Sequence, residues 1–237
     1  MKIQRDFSRP RNYFYQSLKK DVDFVFSDCY KCINGRRGAG RRNMATMHLI
    51  HGSSKAHIDG ITETGIFGGI FTLDYNPGCV NHGYGEHLHI VSLDDSEICR
   101  HGDITERLSR ERIDEVIAGE IDLDALDEYD IDENERAEVL NMLRRWALET
   151  DDANSIEIYF GGDDCEYGGI FEEILVGAQA FDAGSLGFEI QRIRGLLARA
   201  AGFRAVDCYD ENGISTLVIG GIGTKIMPLE EFEKASV

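Results

Sequence analysis

The stretch that decides the fold runs from residue 47 to residue 73 and reads MHLIHGSSKAHIDGITETGIFGGIFTL. Its two ends, MHLIHG and GGIFTL, are short apolar segments bounded by glycine, and this pattern is typical of β-strands. The polar segment KAHIDGITETG between them predicts a turn or a short helix. The adjacent glycines at 68 and 69 allow close approach of the backbone to a ligand. We therefore predict two strands, the first of which ends in His-Gly-Ser.

The rest of the chain predicts strands, then helices, then strands. The predicted elements are a strand at EHLHIVSL (86–93), helices at ITERLSRERIDEVIAGE (104–120), DENERAEVLNMLRRWALET (132–150) and SLGFEIQRIRGLLARAAG (185–202), and strands at FRAVDCYD (203–210) and ISTLVIGG (214–221). Asp132 is the predicted N-cap of the second helix. Asn212-Gly213 is a strong hairpin signal between the last two strands. This order of elements indicates the α+β class.

Length and composition favour a cytoplasmic protein. A chain of 237 residues suits one domain of moderate size, with or without additions. It has no apolar run near the roughly 20 residues of a membrane helix, and no secretory leader at its N-terminus. Its six cysteines are scattered rather than arranged as a disulfide framework. The Cys29-x-x-Cys32 pair has no second pair to complete a zinc site.

Charge divides the sequence in two. Residues 1–43 carry a net charge of +7, whereas residues 44–237 carry −25, and the segment 94–175 alone has 27 acidic against 7 basic residues. Residues 1–46 are therefore predicted to be a basic, partly flexible N-terminal extension of a domain that spans 47–237. The acidic body would repel nucleic acid and attract a basic partner, such as a nucleic-acid-binding protein complex. The commoner meaning of such a charge is simply a solvated acidic surface.

The sequence offers little support for a metal site, a serine nucleophile or a phosphate-binding loop. His82, His87 and His89 lie close together, but no H-E-x-x-H or second cysteine pair accompanies them, so we expect no metal. The G-x-S-x-G motif is absent, and the Gly-Gly-Ile-Gly-Thr-Lys segment that ends at Lys225 lacks the first glycine of a P-loop.

Cleavage of a C–N glycosidic bond suits the residue types better. Its oxocarbenium-like transition state needs a fixed acid, a side chain that hydrogen-bonds ribose and an aromatic ring for a flat leaving base. His51, the Gly68–Gly69 pair, Phe67 or Phe71, and an acid at a turn would supply these groups.

Several short motifs follow one another along the chain, and their order is informative. They are His-Gly-Ser at 51–53, T-G-I-F-G-G-I-F at 64–71, H-G-Y-G-E-H-L-H at 82–89, E-I-Q-R-I-R-G at 189–195 and D-E-N-G at 210–213. Together they resemble ADP-ribosyltransferases of the diphtheria-toxin and PARP-like type. The resemblance is closer to the phage anti-CRISPR ADP-ribosyltransferases that act against type I-F CRISPR systems, and it covers about residues 47–98 and 184–226.

This resemblance implies an ADP-ribosyltransferase-like fold with a split antiparallel sheet. Residues 99–183 depart from the family and are predicted to form a helical, acidic insertion. The resemblance implies NAD as co-substrate and a protein target, a subunit of a CRISPR surveillance complex. The charge predicts no direct contact of the acidic body with nucleic acid, and the lack of a long apolar run predicts no membrane. Two alternatives remain open. One is an ADP-ribosylating toxin that acts on another host protein, and the other is a non-catalytic inhibitor whose acidic surface mimics nucleic acid.

The resemblance also implies roles for residues of the first half. His51 would hydrogen-bond the ribose of NAD, and Gly52 would offer backbone groups to the nicotinamide amide, with Ser53 beside it. Phe67 or Phe71 would pack on the nicotinamide ring, and Phe71 is the favoured choice. Gly68 and Gly69 would let the backbone approach NAD.

In the second half, Asp210 corresponds to the essential acid of the family, which would stabilise the oxocarbenium ion and help to deprotonate the acceptor. Glu211 is the alternative candidate for the essential acid if Asp210 does not have this role. Glu189 and Arg192 correspond to residues on the helix and would orient the site.

Overall fold

The computed structural model of the chain describes residues 45–63, 67–77, 85–100, 102–122, 133–149, 175, 186–210 and 213–236. The strands in these residues are β1 Thr46–Ser53, β2 Gly69–Asp74, β3 His87–Asp94, β4 Ile98–Cys99, β5 Ala205–Asp210, β6 Gly213–Ile219 and β7 Ile226–Pro228. The α-helices are α1 Asp103–Arg107, α2 Arg110–Ala118, α3 Glu133–Glu149, α4 Leu186–Ala200 and α5 Leu229–Ala235. No helix in this part of the chain is long and apolar enough to cross a membrane.

The strands form one curled sheet in the order β4-β5-β6-β2-β1-β3-β7. Strand β1 pairs with β3 along its whole length, from Thr46↔Asp94 to Ser53↔His87. It pairs with β2 only at Leu49↔Asp74 and Ile50↔Leu73, after which β2 pairs with β6. The sheet therefore splits between β1 and β2 from residue 51 onward. The predicted α+β class with a split sheet is confirmed, and the pairing is antiparallel except between β4 and β5, which are parallel.

Side chains on the two faces of the sheet belong to two different hydrophobic clusters. On β5 and β6, Val206 and Leu217 pack in the larger cluster, whereas Ala205 and Val218 pack in the smaller one. This alternation follows from the two-residue period of a strand. The larger cluster also contains Ile193 and Leu197 of α4, which are fully buried. Helix α4 therefore covers one face of the strands that lead to the predicted site.

The predicted helix over 104–120 is wrong in one respect, because the structure breaks it in two. α1 ends at Arg107 and α2 begins at Arg110. Between them Leu108 is extended (φ −109°, ψ 138°), and the hydroxyl of Ser109 accepts a hydrogen bond from the backbone N–H of Arg112. Serine competes for backbone hydrogen bonds in this way, which favours it at N-caps over helix interiors.

Helix α4 matches its predicted extent, and the chain leaves it through Gly202 at φ +85°. Asp132, the predicted N-cap of α3, lies outside the described residues, as do residues 1–44. The N-terminal extension and the boundary at 47 stay predictions. Helices α1, α2 and α3 all lie within 99–183, and members of α2 and α3 share the larger cluster with α4.

Candidate functional site

His51 lies where β1 and β2 separate. Its Nδ1 is 2.8 Å from the backbone carbonyl oxygen of Phe71 on β2. A carbonyl oxygen can only accept a hydrogen bond, so Nδ1 carries the hydrogen, and in the neutral ring Nε2 is then an acceptor. The ring is partly buried. The fold thus fixes the orientation of His51 and leaves one defined ring nitrogen for a ligand.

His89 lies directly opposite His51 on β3 and is fully buried. Neither ring nitrogen has a hydrogen-bond partner of good geometry in the described part of the chain. Burial lowers the pKa of His89 below its ordinary value, the charge of His51 adds to this decrease, and the backbone of Ala56 and of His87 partly opposes it. His89 is therefore held neutral. Sequence reasoning considered it only as a metal ligand, because strand register was not known.

Gly52 and Ser53 extend β1 beyond its last pair with β2. Both residues are partly exposed, and both pair with β3, through Gly52↔Leu88 and Ser53↔His87. The hydroxyl of Ser53 accepts a hydrogen bond from the backbone N–H of Lys55 at 3.1 Å. Because the ladder to β2 has ended at Ile50, the β2-facing side of Gly52 borders the split in the sheet.

A cavity of about 220 Å³ opens between the start of β2 and helix α4. Its lining residues are Glu63, Phe67, Gly68, Arg192, Gly195, Leu196, Arg199 and Ile219. The ring of Phe67 meets that of Phe71 edge to face, with 4.6 Å between centroids and an interplanar angle of 86°. Phe67 therefore lines the cavity, and Phe71 supports Phe67.

The two central glycines have structural reasons to be glycine. Gly68 has a φ of +63°, which strains other residues. At Gly69 an added Cβ would lie 2.2 Å from the backbone oxygen of Val218 on β6. The close approach at Gly69 is thus one between strands β2 and β6. Gly68 also lines the cavity.

Glu189 and Arg192 form a buried ion pair on α4. Oε2 of Glu189 accepts from Arg192 Nε at 3.1 Å and Nη2 at 3.0 Å, and Arg192 Nη2 also reaches Glu120 Oε2 at 2.5 Å. Burial raises the pKa of the fully buried Glu189 even though Arg192 opposes the shift. Burial would lower the pKa of Arg192, but Glu120 and Glu189 raise it. Glu120 lies two residues beyond the end of α2, and no motif in the sequence marks it.

The predicted acids lie at the β5–β6 hairpin. Asp210 ends β5 and pairs with Gly213, so the hairpin predicted between the two strands is confirmed. Asn212 lies outside the described residues. The side chain of Asp210 and the whole of Glu211 lie outside what the structure describes. Three residues earlier, Asp207 is buried and accepts from Arg100 Nη1 at 2.6 Å and from the hydroxyl of Thr216 at 3.3 Å. Sequence reasoning did not single out Asp207.

Polar side chains thus form a row across the sheet. His89 pairs with His51, Thr72 pairs with Thr216, and Thr216 pairs with Asp207. Ile50 of β1 pairs with Leu73 of β2. His51 is the residue after Ile50, and Thr72 is the residue before Leu73, so the two halves of the row meet at the split. Within the described residues no group of three His, Cys, Asp or Glu side chains is placed to hold a metal ion.

Comparison with known proteins gives a family match over most of the chain. Residues 47–227 match the model of the family described as "Anti-CRISPR Type I-F ADP-ribosyltransferase AcrIF11". A solved crystal structure of an anti-CRISPR protein is similar to the chain at 22% sequence identity and a TM-score of 0.45, covering 80% of this chain and 100% of the other. No curated protein matches the chain.

Proposed function

Because the chain belongs to the AcrIF11 family of anti-CRISPR type I-F ADP-ribosyltransferases, we propose that it takes NAD as co-substrate and modifies a subunit of a CRISPR surveillance complex. The observation that supports this most directly is the position of His51 at the split between β1 and β2, with Nδ1 occupied by the Phe71 carbonyl oxygen. Nε2 is then an acceptor for a ribose hydroxyl.

The nicotinamide half of NAD would use the start of β2 and the end of β1. Backbone groups of Gly52 would bind the carboxamide, with Ser53 beside them. We assign the nicotinamide ring to Phe67 rather than to Phe71, because Phe67 lines the cavity and Phe71 supports it through an edge-to-face contact. Gly68 would let the ring approach the backbone, whereas Gly69 serves the pairing of β2 with β6.

The chemical step would break the bond between ribose C1′ and the nicotinamide nitrogen. The bonding electron pair leaves with nicotinamide, which becomes neutral, and positive charge develops on the ribose. The Asp210 carboxylate would stabilise this charge, as a preorganised negative group does in a dry site. The nucleophile of the target then bonds to C1′, and its proton passes to Asp210 or to Glu211. Glu189 would orient Arg192, which lines the cavity.

The acidic body suggests the kind of target. Residues 44–237 carry a net charge of −25, which favours encounter with a basic surface. Subunits that hold nucleic acid present such surfaces, because they must neutralise phosphates.

The experiment that tests the proposal is labelling of host lysate with tagged NAD. We expect one surveillance-complex subunit to be labelled by the native protein and none by Asp210→Ala. Release of nicotinamide with no labelled protein would instead show NAD hydrolysis. Inhibition of the CRISPR complex that survives both Asp210→Ala and His51→Ala would show that the protein acts as a non-catalytic mimic.

A further inference from the structure

We propose that Glu63 competes with the pyrophosphate of NAD for Arg199, so that NAD must displace this carboxylate to occupy the cavity beside α4. The inference rests on the proposed function, since it takes NAD to be the ligand of this cavity. It assigns a phosphate-binding role to Arg199 and an opposing role to Glu63.

The cavity presents two arginines from one face of α4. Arg192 and Arg199 are seven residues apart, which places them on the same side of the helix two turns, or about 10 Å, apart. Between them lie Gly195 and Leu196, which also line the cavity. At Gly195 an added Cβ would lie 3.0 Å from Leu217 Cδ2, so glycine lets α4 pack closely on β6.

The two arginines differ in how firmly they are held. Arg192 is only 12% exposed and is fixed by Glu189 and Glu120. Those bonds use Nε and Nη2, and no bond of Nη1 occurs within the described part of the chain. Arg192 is therefore a rigid guanidinium with donors to spare, which suits recognition of a phosphate oxygen.

Arg199 is bound instead by a weak, exposed partner. Its Nη1 forms an ion pair with Glu63 Oε2, and the two side chains are 38% and 59% exposed. Solvent-exposed ion pairs of this kind contribute little and are easily replaced. A pyrophosphate carries two charges and more acceptor oxygens than one carboxylate, so it is the stronger partner for a guanidinium.

The position of Glu63 is built into the fold. The backbone N–H of Gly221 donates to Ile61 at 2.9 Å, and an added Cβ at Gly220 would lie 2.0 Å from the oxygen of Thr62. At Gly221, where φ is +73°, an added Cβ would lie 3.0 Å from the carboxyl carbon of Glu63. Two glycines of the turn after β6 therefore make room for the chain at 62–63 and for the Glu63 side chain.

This arrangement would select for a ligand that carries both a flat ring and a phosphate. Phe67 lines the same cavity and supplies an aromatic side chain there. A neutral ring alone cannot replace the Glu63 carboxylate at Arg199. Nicotinamide should therefore bind without disturbing the ion pair, whereas ADP-ribose and NAD should break it.

The test is calorimetric measurement of the dissociation constant of ADP-ribose for the full chain and for Glu63→Gln. Removal of the competing charge should tighten ADP-ribose binding about two- to fivefold, the range of an exposed ion pair, and should leave nicotinamide binding unchanged. Arg199→Gln should weaken ADP-ribose binding about tenfold or more, and Glu63→Gln added to Arg199→Gln should then have no effect. Glu63→Asp, which keeps the charge, should bind like the native chain.

The matched control is Glu115→Gln, which breaks an exposed ion pair with Arg112 on α2 and should not alter ADP-ribose binding. Equal or weaker ADP-ribose binding by a folded Glu63→Gln variant, with NAD turnover intact, would overturn the competition while leaving the proposed function in place. Failure of the native chain to bind ADP-ribose would overturn the competition, and failure to release nicotinamide from NAD in the presence of the target would overturn the proposed function as well.

Discussion

At the scale of single residues, the pairing of His51 with His89 explains the most about the site. The sequence identified His51 through its motif, because His-Gly-Ser at a strand end is distinctive. It could not identify His89 as the neighbour of His51, since that depends on the β1–β3 register. A shift of one residue would turn His89 to the other face. Asp207 and Glu120 escaped sequence reasoning because their partners, Arg100 and Arg192, are distant in sequence.

Removal of the His51 side chain should impair NAD turnover specifically. His51→Ala removes the proposed hydrogen bond to ribose, and we expect kcat/KM for nicotinamide release to fall by about 10²-fold, as for loss of a preorganised polar group. The matched control is His48→Ala on the same strand, where Nδ1 pairs with the Ser92 hydroxyl at 2.8 Å. Equal effects of the two substitutions would contradict the role of His51.

The buried His89 should make stability depend on pH. Its pKa is lower in the folded state than in the unfolded chain, so the unfolded chain takes up the proton first as the pH falls. Stability should therefore decrease as the pH drops below about 6.5, the ordinary histidine value, until the folded pKa is passed. Urea denaturation at several pH values measures this. His89→Gln should lose that part of the slope, and an unchanged slope would refute the assignment.

At the scale of elements, the sequence predicted what local patterns determine. The helical period of α4 and the hairpin that joins β5 to β6 are local, and the structure has both. The sequence prediction missed the break between α1 and α2, because apolar residues continue at helical spacing across it. The break depends on a single residue, Ser109, which caps the N-terminus of α2. β7 and α5 had no prediction, since β7 has three residues and α5 buries none of its side chains.

The contact between β2 and β6 gives a test of what Gly69 does. Gly69→Ala would place a Cβ 2.2 Å from the Val218 oxygen, so the strands must move apart. We expect a loss of about 1–3 kcal/mol in the free energy of unfolding, as for overpacking. Gly60→Ala is the control, because nothing lies within 4 Å of its added Cβ. A native-like thermal midpoint for Gly69→Ala, with reduced NAD binding alone, would assign Gly69 to the ligand.

At the scale of the whole molecule, the ordered motifs were enough to identify the family, but not the shape of the pocket. The cavity combines Glu63, Phe67 and Gly68 with four residues of α4 and with Ile219. These parts are distant in sequence and meet because β2 pairs with β6 beneath α4. No pattern in the chain forecast that Phe67 rather than Phe71 lines it. We expect target choice to depend likewise on the surface, about which the sequence reveals only the total charge.

The acidic body should act on target encounter rather than on chemistry. Raising the salt concentration screens exposed charges, so labelling of a basic target subunit should slow markedly between low and physiological ionic strength. Release of nicotinamide from NAD in the absence of target should change much less. If both rates respond equally to salt, the net charge of −25 over residues 44–237 does not guide target choice.

The most direct test of the central claim is intact-mass measurement of a type I-F surveillance complex after incubation with the protein and NAD. We predict that one subunit gains the mass of an ADP-ribosyl group, that nicotinamide appears in equal amount, and that Asp210→Ala produces neither change. A complex that is inhibited but unmodified, with NAD unconsumed, would contradict the account.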